Sequence, residues 1–128
     1  MRYLTKSLFV RALQCPTKLS YVKKPKQYPD NSIEDEFLES LAEGGFQVGA
    51  LAQCYFPHGH LVDTLDSKAA LAQTDELLKA DKTVIFEAAL AHETLFVRAD
   101  ILVKDGAYFD LIEVKAKSCD PLGATLTI

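Results

Sequence analysis

The stretch from Val84 to Lys117 constrains this chain more than any other. Three runs rich in β-branched and aromatic residues are separated by two short polar breaks, Ala91-His92-Glu93-Thr94 and Lys104-Asp105-Gly106-Ala107. That alternation predicts a three-stranded antiparallel meander, with Asp105-Gly106 the stronger turn. A two-residue turn there pairs Lys104 with Ala107, which sets Asp100 opposite Leu111 and Arg98 opposite Glu113. Asp100 then shares a face with Glu113 and Lys115, which are two apart on one strand. Taking His92-Glu93 as the first turn pairs Ala91 with Thr94 and sets Glu87 opposite Arg98. The register sorts Val84, Phe86, Ala88, Leu90, Val97, Ala99, Ile101, Val103, Ile112 and Val114 onto an apolar face. Glu87, Arg98, Asp100, Glu113 and Lys115 fall on the other, and a slip of one residue would scramble both sets.

Such a constellation matches what a magnesium-dependent phosphodiesterase needs. Hard divalent cations prefer oxygen ligands, and Mg²⁺ takes one or two carboxylates while keeping positions for water and substrate phosphate. Asp100 and Glu113 meet that demand, with the carbonyl of Val114 as a third oxygen. Lys115 is placed to orient an attacking water and to offset negative charge in the transition state. Glu87 either extends the carboxylate set or accepts Arg98. The competing reading is a row of ion pairs, Glu87 with Arg98 with Glu113, on the solvated face of an ordinary sheet. Asp100, alone in an otherwise apolar strand, favours the site.

The rest of the chain reads as mainly helical. Thr5 caps a helix from Lys6 to about Gln14, with Leu8, Phe9, Ala12 and Leu13 on one side. Pro16 opens a second short helix, Thr17 to Tyr21. Ser32 with Asp35 resembles a capping box for a helix carrying Ile33, Phe37, Leu38 and Leu41 and ending at Gly44-Gly45. Phe46 to Tyr55 forms another. Leu61 to Thr64 suggests a short strand, and Asp66 or Ser67 caps a helix reaching about Ala80. His58 and His60 lie in a turn with no third metal ligand evident.

At 128 residues the chain suits one modest domain. Its expected divisions are a mainly helical part over 1–82, the meander with the site over 83–117, and a tail over 118–128. Hydrophobic content of 48% and charged content of 25% are those of a globular protein. With no leader and no run near membrane-span length, the expected location is cytoplasmic. Cys15, Cys54 and Cys119 form no close pair and no Cys-x-x-Cys, so neither a disulfide framework nor a zinc site is indicated. The net charge of −4 argues against a surface that grips nucleic acid throughout. Yet residues 1–29 hold seven basic residues and no acid, and 30–43 hold six acids and no base. Lys18, Lys23, Lys24 and Lys26 therefore stand as candidates for meeting phosphates, against the alternative of a solvated face neutralised by the neighbouring acidic helix.

Helical segments followed by a meander with Arg98-Ala99-Asp100-Ile101-Leu102 and then Ile112-Glu113-Val114-Lys115-Ala116 resemble the PD-(D/E)XK nuclease superfamily, particularly its RecB-like branch. The opening Lys6-Ser7-Leu8-Phe9 through Leu13-Gln14-Cys15-Pro16 is similar to the start of CRISPR-associated RecB-like nucleases and related bacterial proteins. The resemblance implies an α+β fold with a restriction-endonuclease-like core, and a nuclease that hydrolyses DNA, single strands included. Glu87, Asp100, Glu113 and Lys115 match its catalytic positions, and Mg²⁺ or Mn²⁺ is the implied cofactor. The family's C-terminal helix and strand have no counterpart here, and neither do the partners that would give Cys15 an iron-sulfur cluster. The expectation is thus an incomplete domain without a cluster, with self-association near the third strand and the tail. The rival expectations are a noncatalytic fragment that binds nucleic acid or protein, and a small interaction domain.

Overall fold

The computed structural model describes residues 3–29 and 36–115, with only the backbone of 36–42. In chain order the elements are β1 (Leu4–Thr5), α1 (Lys6–Gln14), α2 (Pro16–Val22), α3 (Glu36–Cys54), β2 (His60–Leu61), α4 (Ser67–Leu77), β3 (Lys82–His92), β4 (Leu95–Asp105) and β5 (Tyr108–Ile112). Helices with one mixed sheet make this an α+β fold. No helix among the described residues is long and apolar enough to cross a membrane.

Local chemistry sets most of the helix boundaries. The Thr5 side chain accepts from Leu8 N at 3.3 Å and caps α1. That helix stops at Cys15, which is extended, because Pro16 disfavours a helical residue before it and then occupies the first turn of α2. Asp66 caps α4 by accepting from Ala69 N at 2.8 Å. The expected stop at Gly44-Gly45 is not a stop, since α3 runs through both glycines to Cys54. A glycine ends a helix by turning left-handed, and Gly106 is the glycine that takes a positive φ among the described residues. In a helix interior each glycine costs about 1 kcal/mol, a penalty that an already nucleated helix absorbs. The Ser32 capping box and the tail over 118–128 lie outside the described residues.

The meander is β3, β4 and β5, and two short parallel strands extend it. β2 pairs with β3 through His60↔Ile85 and Leu61↔Phe86, and β1 pairs with β4 through Leu4↔Leu95 and Thr5↔Phe96. Both hairpins are slipped by two residues from the expected register. His92↔Leu95 closes the first around Glu93-Thr94, and Asp105↔Tyr108 closes the second around Gly106-Ala107. Glu93 (φ 51°) and Gly106 (φ 60°) each take the left-handed conformation at the first turn position. Tight hairpins require that conformation, and glycine supplies it there without a Cβ clash. A two-residue slip keeps every side chain on its expected face, but it changes who sits opposite whom. Ile101↔Ile112 puts Asp100, not Arg98, across from Glu113. Likewise Phe86↔Ile101 and Ala88↔Ala99 flank a position at which Glu87 faces Asp100, not Arg98.

Burial departs from a simple two-face division. Ile85 and Leu102 share the face of the charged residues, yet they join Val62, Ala70 and Ala89 in the core, with Leu71, Leu77 and Leu78 packed around them. α4 is what covers them. Arg98 and Lys104, on the same face by strand period, reach the two ends of that helix. Arg98 donates to Thr64 O, and Lys104 Nζ donates to Leu78 O and Ala80 O at 2.6 and 2.8 Å. Thr74, the buried polar residue of α4, donates to Ala70 O at 2.9 Å and accepts from Ala89 N at 3.0 Å. The hydroxyl thereby satisfies a strand N–H beyond the end of β2. Tyr108, Phe109 and Leu111 of β5 are exposed, and this strand is where self-association was expected.

Gly59, just before β2, lies against the ring of Phe86. A Cβ there would stand 2.2 Å from Phe86 Cζ, and Phe86 is only 5% exposed, so its ring has little room to yield. Gly59→Ala is expected to destabilise the domain by about 1–3 kcal/mol through overpacking. Urea denaturation would reveal this as a lower midpoint with an unchanged slope.

Candidate active site

A gap in strand pairing creates the site. One edge of β4 is paired with β3 along its length except at Asp100, and the other is shared by two strands that do not meet. β1 covers Leu95 and Phe96, β5 covers Ile101 to Asp105, and Val97 to Asp100 carry no strand partner on that side among the described residues. The chain leaves β1 directly into α1, whose start is fixed to the sheet by Leu4 N donating to Thr94 O at 2.7 Å. At the other end of the gap, the residues after β5 run past Asp100. Val114 N donates to Asp100 Oδ2 at 2.6 Å. Between these walls opens a cleft of about 710 Å³, lined among others by Lys6, Arg11, Glu87, Asp100, Glu113 and Lys115.

The four expected catalytic positions, Glu87, Asp100, Glu113 and Lys115, therefore line one cleft. Glu113 is held by two ammonium groups. Lys6 Nζ donates to Glu113 Oε1 at 2.6 Å, and Lys115 donates to the same oxygen. These hydrogen bonds, that of Lys115 foremost, hold the Glu113 carboxyl below the usual carboxylate range. In return, the hydrogen bond to Glu113 raises Lys115 above the usual lysine value, and the charge of Asp100 adds to it. Lys115 is thus a persistent cation.

Glu87 is the strained member. It holds φ 55° in the middle of β3, a conformation that costs a residue with a Cβ about 1–3 kcal/mol. Strain of that kind inside a paired strand persists only where the surroundings hold it, and here it coincides with the position facing Asp100. Glu87 and Asp100 also line a second, smaller hollow with Val114 and the α3 residues Gly45, Gly49 and Gln53.

The donor set suits a hard divalent cation. Asp100 and Glu113 are opposed on neighbouring chain segments, with Glu87 adjacent, which provides the one or two carboxylates that Mg²⁺ or Mn²⁺ takes from protein. Among the described residues, no three His, Cys, Asp or Glu side chains gather closely enough to enclose an ion by themselves. Water and substrate oxygens would have to complete the shell. Val114, expected to offer its carbonyl, meets Asp100 through its N–H.

Other expected groups lie elsewhere. Arg98 lines the cleft but is tied to Thr64 O, so the anticipated row of Glu87, Arg98 and Glu113 does not form. Lys18, Lys23, Lys24 and Lys26 are exposed on α2 and the segment after it, and none lines the cleft. Lys6 and Arg11 take that place. Their signal in the sequence was a polar stripe on α1, which the apolar side of the same helix obscured. No protein-family model, curated protein or solved structure matches this chain.

Proposed function

We propose that this protein is a divalent-metal-dependent nuclease that hydrolyses DNA phosphodiester bonds in the cleft beside β4, on a restriction-endonuclease-like core. The observation that carries the reading is the meeting of Asp100, Glu113 and Lys115, with Glu87, at the one unpaired stretch of the outer edge of β4 among the described residues. Bound Mg²⁺ or Mn²⁺ would supply Lewis acidity to a phosphate oxygen and acidify water. Asp100 and Glu113 would hold the ion, and Glu87 would add negative charge beside it. Lys115, kept protonated by Glu113, orients the attacking water and stabilises charge that builds on the phosphate. Lys6 ties α1 to the same carboxylate across the cleft.

Incubation with single- and double-stranded DNA in Mn²⁺ tests the reading. Cleavage that EDTA abolishes is the expected result. Binding of DNA with no cleavage in any metal would replace it with a noncatalytic nucleic-acid-binding role, in which the carboxylates and lysines merely brace one another.

A further inference from the structure

The second wall of the cleft is α1, and its composition is unlike that of the sheet wall. Ser7, Arg11 and Gln14 recur at i, i+4 and i+7, so they form one stripe along the helix, and all three line the cleft. The helix carries no acidic residue, with Lys6 at its first position and Arg11 in its last turn. None of its residues is buried, so the stripe does not exist to pack the helix. The other cations of the cleft already have partners in the protein. Lys6 and Lys115 hold Glu113, and Arg98 holds Thr64 O. Arg11 takes part in none of the ion pairs found among the described residues. A guanidinium facing a cleft, with a hydroxyl on the turn before it and an amide on the turn after, presents donors along about two helical turns.

We infer that the Ser7, Arg11 and Gln14 stripe binds the phosphodiester backbone of the nucleic acid, with Arg11 as its anchor. This rests on the nuclease reading and extends it to the residues that hold the substrate. Arg11 offers a planar pair of N–H groups that matches two oxygens of one phosphate, while Gln14 donates a single hydrogen bond to the same strand and Ser7, whose hydroxyl lies 3.0 Å from Thr5 Oγ1, does so when Thr5 is the donor of that pair. Because α1 is joined to β4 through β1, the strand is delivered at a fixed distance from Asp100 and Glu113. The contacts are to phosphate alone, so the stripe contributes affinity and register but no sequence preference.

Fluorescence anisotropy with a labelled single-stranded oligodeoxynucleotide, in a calcium buffer over a series of salt concentrations, tests this. Arg11→Ala is expected to weaken binding several-fold and to reduce the slope of log affinity against log salt by about 1, the signature of one lost phosphate contact. Lys79→Ala, which removes a lysine paired with Glu76 outside the cleft, should change neither. Arg11→Lys should keep the slope while losing part of the affinity, because the charge survives and the paired geometry does not. This variant also decides the matter if Arg11→Ala alters the fold. Arg11 variants that bind with wild-type affinity and slope would overturn this inference and leave the nuclease reading standing. A wild-type protein that neither binds nor cuts DNA would remove both.

Discussion

Lys115→Ala is expected to lower turnover on DNA by about 10²–10³-fold, the range for losing one preorganised group that stabilises transition-state charge. Affinity for the oligonucleotide should fall far less. The ammonium is already paired with Glu113 in the resting site, so it is expected to add little to ground-state binding and to act chiefly as charge accumulates on the phosphate. The fold should survive the change. Both partners of the Lys115 to Glu113 pair are substantially exposed, with side-chain exposures of 68% and 42%, and such a pair contributes about 0–1 kcal/mol. Single-turnover kinetics separates the two quantities, because it reports the chemical step apart from binding and release. Unchanged turnover with weakened binding would make Lys115 a phosphate anchor and remove it from the chemistry.

The parity of the strands was readable from the sequence, and the partners were not. Alternation in Leu95 to Asp105 and in Tyr108 to Ile112 fixes which side chains share a face, so Asp100, Glu113 and Lys115 could be grouped before any geometry was known. The two-residue slip at each hairpin leaves that grouping intact, because the side-chain period is two. It moves Glu87 and Glu113 opposite Asp100, which places the carboxylates closer to one another than the sequence reading allowed. What set the slip was the left-handed position in each turn, and glycine or another residue can hold it at either central place.

Other features left little local trace. β1 is two residues long, too short for alternation to show, and the strand expected over Leu61 to Thr64 is β2 at His60–Leu61; both pair in parallel, which depends on chain segments far apart in sequence. Without β1 there is no reason to bring α1 to the edge of β4, and so Lys6, Ser7 and Arg11 could not be assigned to the site. Arg98 illustrates the reverse case. Its charge suggested an acidic partner on the sheet, whereas the covering of that face by α4 offered it a backbone carbonyl. α3 shows a third limit, since a pair of glycines reads as a helix end only if one of them turns left-handed.

Asp100→Asn should abolish most of the stabilisation that Mn²⁺ gives the wild-type protein. Ligand that binds the folded state alone stabilises it by about 2.7 kcal/mol at a hundred times its Kd, which for a domain of this size raises Tm by roughly 10 °C. Asp100 would be the central ligand of the proposed ion because it faces both other carboxylates, Glu87 across β3 and Glu113 beyond β5. Removing its charge leaves Glu113 neutralised by two lysines and Glu87 alone. Structural damage is not the expected cause, since the carboxamide oxygen of asparagine can accept the Val114 N–H that Asp100 Oδ2 accepts at 2.6 Å. In the absence of metal the variant should therefore melt near the wild-type temperature, or above it, because like charges between Glu87, Asp100 and Glu113 are relieved. Thermal melting of both proteins with and without Mn²⁺ makes the comparison. Equal metal-induced shifts in the two would place the ion elsewhere and would deprive the cleft of its proposed chemistry.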